Sequence, residues 1–199
     1  MTSGIRGRNP YIYKLTRIAA RICLFPFFQI HTHGLKNIPV KESFILLPKH
    51  QRWEDIPLLS LASPRPLYYL AKKELFLNPL SGWIISSLGG VPLNRVRPME
   101  SRGSLRMMME FFRRGEGVVV FPEGTYYRGR MGPGRIGLIR MIASRIDLTF
   151  IPVGVRYSGR GGRMSVDIVF GTPIYRDFSE DVNVAFEFIM QKIRRLSGL

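Results

Sequence analysis

The chain has 199 residues, 45% of them hydrophobic, and a single cysteine, Cys23; that suits one domain with its own core and excludes an intramolecular disulfide or a cysteine-rich zinc site. The formal net charge is +16, and 23 of the 30 basic residues are arginine, a field that implies a polyanionic partner such as phospholipid headgroups, nucleic acid or a phosphorylated cosubstrate. The most apolar early stretch, residues 22–28, is broken by Pro26 and falls far short of the ~20 residues of a membrane span; no small-residue cleavage site follows it, so a cleaved leader is not expected.

Residues 1–9 read as a basic tail. Residues 11–25 have helical spacing: Lys14, Arg17 and Arg21 recur at i, i+3 and i+7 as one basic stripe, and Tyr11, Leu15, Ile18 and Ile22 fill the wide apolar remainder. That pattern fits a helix lying in a bilayer interface or a helix packed on the core, and the aromatic run after it favours the membrane. Residues 1–28 are therefore expected to form a basic tail and a short amphipathic membrane-interface helix. Residues 29–33 alternate as a half-buried strand and residues 44–47 form a short buried one. A helix over 58–62 opens near Asp55–Pro57, where proline is tolerated. Residues 67–71 read as a strand, and 79–88 as a helix ended by Gly89-Gly90. Val91-Pro92-Leu93 is an extended piece leading to Asn94-Arg95. Residues 99–114 are helical, with Leu105, Met108, Met109 and Phe112 on one face. Residues 118–121 form a fully apolar strand expected at the centre of the sheet. A helix over 136–145 follows, then strands over 149–155 and 165–170 joined by a Gly/Arg-rich hairpin. Ile151-Pro152-Val153 reads as an edge or kinked strand. An amphipathic helix over 182–196 closes the chain. The alternation predicts an α/β class: a single domain with a mixed, largely parallel sheet flanked by helices.

Two segments carry chemistry. In Lys49-His50-Gln51-Arg52-Trp53-Glu54-Asp55, five positions on one continuous helix would leave His50 and Asp55 ~140° apart. They can pair only if His50 sits in the strand-to-helix loop and Asp55 in the first helical turn, which Pro48 and the late start of the helical pattern support. A carboxylate on one ring nitrogen fixes the tautomer and makes the other a base. The bland alternative is a loop histidine beside an acidic residue that favours the helix dipole. The second segment, Phe121-Pro122-Glu123-Gly124-Thr125-Tyr126-Tyr127-Arg128, leaves a buried strand at its C-terminal end, where open α/β sheets place ligands. Gly124 permits close backbone approach, Thr125 offers a hydroxyl and an amide, and Arg128 a charged fork, a set suited to phosphate. Glu123 could instead pair with one of the many arginines. Arg95 ends an extended piece and is a third anion-binding candidate. No metal site is expected.

The order of H-x4-D, a Gly…Pro-x-x-Arg element, FPEGT with a following arginine, and a late apolar-Pro-apolar strand resembles the glycerolipid acyltransferase family, and within it the 1-acylglycerol-3-phosphate O-acyltransferases. The resemblance runs over about residues 30–173. It implies a glycerolipid acyltransferase-like fold with an acyl tunnel, residues 29–199 forming the acyltransferase domain. It implies that His50, oriented by Asp55, is the general base on the hydroxyl of a lysophospholipid, most simply 1-acylglycerol 3-phosphate giving phosphatidic acid. Arg95, Glu123, Gly124, Thr125 and Arg128 would bind the acceptor phosphate. No cofactor is implied; acyl-CoA or acyl-carrier protein is the donor cosubstrate, and the enzyme would sit peripherally on the cytoplasmic face of an anionic membrane. The sequence departs from the family pattern at Lys49, Arg52, Trp53, Tyr126-Tyr127 and Gly132-Pro133-Gly134-Arg135, which bears on the acceptor headgroup. Other acceptors are a lyso-ornithine lipid or glycerol 3-phosphate. A non-catalytic anionic-membrane or nucleic-acid binder is the rival class, and the lack of aromatic residues interleaved with the basic loops argues against nucleic acid.

Overall fold

Phe44-Ile45-Leu46-Leu47 carries an apolar side chain at every position, a pattern that suits a strand covered on both faces. The computed structural model describes residues 8–93, 102–143, 149–159, 162–175 and 182–199. Its elements in chain order are α1 (Pro10–Leu24), β1 (Phe28–His33), β2 (Phe44–Pro48), α2 (Asp55–Ala62), β3 (Leu67–Lys72), α3 (Pro79–Ser87), β4 (Gly90–Leu93), α4 (Arg102–Arg113), β5 (Gly117–Val119), α5 (Ile136–Ala143), β6 (Thr149–Ser158), β7 (Met164–Phe170) and α6 (Val182–Leu196). All five residues of β2 are buried. Ile45 and Leu47 join Val118, Val120 and the apolar faces of α4, α5 and α6 in one core. Phe44 and Leu46 point the other way, to Leu58 and Leu59 of α2 and to Val119, Ile151 and Val153. The period-2 alternation of a strand thus splits one apolar run between two cores.

The seven strands form one sheet in the order β1-β7-β6-β2-β5-β3-β4. Five of them, from β6 to β4, run parallel; β7 is antiparallel to β6, and β1 parallel to β7. The α/β class and the mixed, largely parallel sheet are as the sequence predicts. β5 is interior, between β2 and β3. The edge-strand reading of Ile151-Pro152-Val153 is corrected, because β6 has a neighbour on each side. Proline is accommodated because β7 pairs with β6 only from Val153 onward, and beside Pro152 the departing chain needs only an acceptor: Gly171 N–H donates to Pro152 O at 2.8 Å.

The Asn9 side chain caps α1, accepting from the N–H groups of Tyr11 and Ile12, and Pro10 occupies the first turn. The inner side of α1 carries buried Tyr13 and Arg17. The Arg17 guanidinium donates to the carbonyls of Leu61 and Ser63 at 3.3 and 2.9 Å, at the C-terminal end of α2, where a cation also complements the helix dipole. Its outer face carries Tyr11, Leu15, Ile18 and Ile22, which are 84, 68, 50 and 68% exposed. The basic stripe expected at Lys14, Arg17 and Arg21 is therefore divided. Arg17 packs inward, while Lys14 and Arg21 remain on the surface. Leu75, Leu77, Leu80 and Trp83, in and before α3, are also exposed, and α3 is tied to the start of α1 by Asn9 N–H on Ser87 O at 3.1 Å. Among the described residues no helix is long and apolar enough to cross a membrane.

Candidate active site

β2 and β5 are parallel neighbours, so the loops leaving their C-terminal ends share one sheet edge, where open α/β sheets gather ligands. His50 stands at the first exit and Asp55 opens α2. The turn between them removes the angular separation that a continuous helix would impose. His50 Nδ1 lies 3.0 Å from Asp55 Oδ2. That oxygen also accepts the backbone N–H groups of Gln51 at 2.6 Å and Arg52 at 2.8 Å, and Oδ1 accepts the Tyr157 hydroxyl at 2.5 Å. Every other group facing the carboxylate is a donor, so a neutral imidazole carries its hydrogen on Nδ1 and its lone pair on Nε2. Burial first, and then the Asp55 charge, raise the Tyr157 phenol well above its ordinary value, which keeps it a donor. The His50 ring is stacked on Phe121 with centroids 3.7 Å apart and met edge-on by Tyr126 at 4.4 Å. These rings leave only 4% of His50 exposed, and no hydrogen bond from a described residue reaches Nε2.

A buried ion pair lies behind the histidine. Lys49 is fully buried, and its Nζ donates to both oxygens of Glu123 at 3.0 and 2.8 Å, to His50 O at 3.0 Å and to Tyr127 O at 2.7 Å. Glu123 also accepts His50 N–H at 3.1 Å and Gly132 N–H at 2.6 Å. Burial lowers the Lys49 ammonium below its ordinary value, and the hydrogen bond and charge of Glu123 oppose that shift. The family resemblance implies that Glu123 is among the phosphate-binding residues. Its carboxylate instead turns inward, and its partner is a lysine rather than an arginine. These contacts join the loop after β2 to the loop after β5.

Gly124 has φ +67°, and a Cβ there would come within 3.0 Å of Arg135 Cδ, so the turn requires glycine and brings the Arg135 side chain against it. Thr125 and Arg128 are exposed on the same turn. The turn is held to the histidine by Tyr127 N–H on His50 O at 2.9 Å, and to the sheet by Gln51, whose Oε1 accepts Gly129 N–H at 2.9 Å while Nε2 donates to Val155 O at 2.7 Å. The fold thus gathers His50, Asp55, Glu123, Gly124, Thr125 and Arg128 at one sheet edge. Arg95 lies outside the described residues; the strand before it, β4, is at the sheet margin, with β3 and β5 between it and β2. Among the described residues no group of three or more His, Cys, Asp or Glu could hold a metal ion.

Four contributors escaped the sequence reading. Gln51 shows no local signal. Lys49 was visible only as a departure from a pattern, and Arg135 only as one of several loop arginines. Tyr157 had a usable clue: it continues the parity of Val153 and Val155, the strand face that looks toward α2 and Asp55.

An apolar cavity of about 330 Å³ lies beside this site, bounded by α1, α2, β3 and α3. Ile56 and Pro57, the two residues after Asp55, form part of its wall, with Tyr69, Ala71, Ile85 and Leu88.

A family model described as Acyltransferase matches residues 29–156. The "1-acyl-sn-glycerol-3-phosphate acyltransferase BAT2, chloroplastic" of Brassica napus is 31% identical over 78% of this chain and 45% of its own length. The "Lyso-ornithine lipid O-acyltransferase" of Pseudomonas aeruginosa is 29% identical over 77% of this chain and 57% of its own. The chain spans about half the length of these relatives. The crystal structure of the 1-acyl-sn-glycerophosphate (LPA) acyltransferase PlsC from Thermotoga maritima matches with a TM-score of 0.66 at 25% identity, over 93% of this chain and 76% of that one.

Proposed function

This chain belongs to the acyltransferase family, and we propose that it transfers a fatty acyl group from an acyl thioester to the free hydroxyl of a lysophospholipid, with 1-acylglycerol 3-phosphate as acceptor. The observation that carries this reading is the pairing of His50 with Asp55, Nδ1 being held at 3.0 Å while no hydrogen bond from a described residue occupies Nε2. Nε2 takes the hydroxyl hydrogen as the acceptor oxygen attacks the thioester carbonyl. The Asp55 carboxylate stabilises the imidazolium that results. Collapse of the tetrahedral intermediate breaks the C–S bond, and the imidazolium proton passes to the departing sulfur, giving a free thiol. No acyl-enzyme is needed, and general-base assistance of this kind supplies ~10²–10⁴ in rate.

The remaining parts have supporting roles. Lys49 and Glu123 hold the backbone of His50 from behind. Thr125, Arg128, the Gly124 turn and Arg95 receive the acceptor phosphate, to which guanidinium groups offer planar, bidentate donors. Arg135, lying against Gly124, joins that set. The apolar cavity beside Ile56 and Pro57 takes an acyl chain. The outer face of α1, with Tyr11, Leu15, Ile18 and Ile22 exposed, rests on the membrane surface, where a lysophospholipid resides; the enzyme is then peripheral on an anionic membrane.

The test offers purified protein a panel of acceptors (1-acylglycerol 3-phosphate, lyso-ornithine lipid and glycerol 3-phosphate) with acyl-CoA or acyl-carrier protein as donor, and reads thiol release. Fastest turnover on 1-acylglycerol 3-phosphate is the expected result. Preference for the lyso-ornithine lipid transfers the reading to the acceptor named in the Pseudomonas relative. Absence of thiol release with every pair refutes it.

A further inference from the structure

We propose that a second lipid site, separate from the catalytic edge, lies between the C-terminal end of α1 and edge strand β1, and that it binds one anionic glycerophospholipid with the phosphodiester on Arg21 and Arg163. A groove of about 360 Å³ opens there, with Leu24, Phe28, Ile30 and Leu61 among its apolar lining and Arg21 and Arg163 as its cations. Its floor exists because β1 is the last strand of the sheet. The inward-facing residues of β1 have sheet on one side only, so the groove past α1 stays open. The proposal rests on the reading of α1 as a membrane-surface helix and names a lipid that this surface would hold.

The arginines are arranged for an anion. Arg163 Nε donates to Phe28 O at 3.0 Å, and the guanidinium sits 3.9 Å over the Phe25 ring. The guanidinium plane is thereby fixed by a backbone carbonyl and an aromatic face, and among the described residues neither terminal nitrogen has a hydrogen-bond partner; a planar fork so held loses little entropy on binding phosphate. Among the described residues neither Arg21 nor Arg163 has an acidic partner. Two cations with no acidic partner among the described residues, above an apolar floor, match a molecule with a phosphodiester at one end and hydrocarbon at the other. Inorganic phosphate would gain nothing from the floor, and a zwitterionic headgroup would bring a cation toward the arginines. Ile22, Phe25 and Phe27, which are exposed beside the groove, place its mouth at bilayer level, so a lipid enters without crossing water.

The test measures binding of monomeric dihexanoyl-phosphatidylglycerol, below its micelle concentration, to the full chain by calorimetry, with dihexanoyl-phosphatidylcholine and inorganic phosphate alongside. Saturable one-to-one binding of the glycerol lipid, with the other two at least tenfold weaker, is expected. R21Q/R163Q should weaken it about tenfold or more, the scale of losing hydrogen bonds to a charged group, and Ala62→Phe, which fills the groove and keeps both charges, should weaken it as well. K192Q/R195Q, which removes two charges from the exposed side of α6, should leave it unchanged. Equal weakening by K192Q/R195Q would reduce the effect to general charge and overturn the site. Weakening by Arg128→Gln alone would move the binding to the catalytic edge and overturn it too, as would phosphate binding as tightly as the lipid. Thiol release by the same variants in detergent micelles separates the two readings. A parent protein with no acyl transfer but intact lipid binding refutes the catalytic proposal and supports the groove, whereas R21Q/R163Q with full turnover and unweakened lipid binding refutes the groove alone.

Discussion

Lys49 Nζ lies 2.8 Å from Glu123 Oε2, with both side chains wholly shielded from solvent. The pair joins the exit of β2 to the exit of β5 directly behind His50. Removing one partner leaves an uncompensated buried charge, which costs about 3–5 kcal/mol, whereas replacing both with apolar groups can be nearly neutral. Lys49→Met should therefore lower the urea midpoint sharply, and Lys49→Met/Glu123→Leu should recover part of it but not all, because the N–H groups of His50 and Gly132 then lose their acceptor. The same pair separates two roles for Glu123. As a strut, Glu123→Gln lowers kcat with little change in the acceptor KM; a raised KM with kcat intact would mean that it acts on the phosphate end.

His50→Ala removes the proposed base and should lower kcat ~10²–10⁴-fold. Asp55→Asn keeps the shape of the site but can offer an amide hydrogen to Nδ1, favouring the tautomer with Nε2–H. A fall in kcat with acceptor KM unchanged is expected. Turnover within a few-fold of the parent in His50→Ala would remove the imidazole from the mechanism, and in Asp55→Asn it would remove the carboxylate.

Tyr157 predicts an alkaline effect on stability. Its phenol is held above the ordinary value of about 10 by burial and by the Asp55 charge. Above pH 10 the unfolded chain releases this proton while the folded one retains it. The stabilising contribution is therefore whole below about pH 10 and is lost as pH climbs further toward the folded value. Tyr157→Phe lacks this loss. Between pH 9 and pH 11 the parent should lose more of its denaturation midpoint than the variant does, and Tyr68 and Tyr69, whose phenols are also raised by burial, contribute equally to both. Parallel slopes would count against the Tyr157–Asp55 contact.

The apolar cavity beside Asp55 makes a prediction about chain length. Ala71 is in its wall, and Ala71→Leu adds three carbons to a space that close packing leaves little room to expand. Donor preference, measured across acyl-CoAs of graded length, should shorten by about three carbons. An unchanged profile would put the acyl chain elsewhere.

The outer face of α1 predicts a split between binding and chemistry. Ile18→Asp/Ile22→Asp alters residues that face solvent, while Tyr13 and Arg17 keep the helix on α2. Flotation with anionic vesicles should drop strongly, and thiol release on a water-soluble short-chain acceptor should persist. Flotation equal to that of the parent would assign membrane contact to another surface.

The elements were legible in the sequence because their signals are local. Period-2 and period-3.6 apolar spacing, with glycine and proline at the boundaries, placed every described strand and α-helix to within a few residues, and gave no sign of the short 3-10 helices Leu35–Asn37 and Lys73–Phe76. The pairing of His50 with Asp55 was also legible, since it depends only on a strand ending before the one residue and a helix starting at the other. Contacts between residues far apart in the chain were not. Nothing near Lys49 in the sequence indicates that a carboxylate 74 positions later will take its charge, and nothing near Asp55 indicates Tyr157, 102 positions on. The helix pattern of residues 11–25 likewise left membrane and core as alternatives. The packing of Arg17 onto the end of α2 decided which side turns inward. Local spacing determines where hydrogen bonds within a strand or helix can form, so the sequence alone determined the α/β alternation and the pairing of His50 with Asp55. The partners of buried charges and the exposed face of α1 depend on how the elements dock, because only docking sets which groups lose water and must find one another.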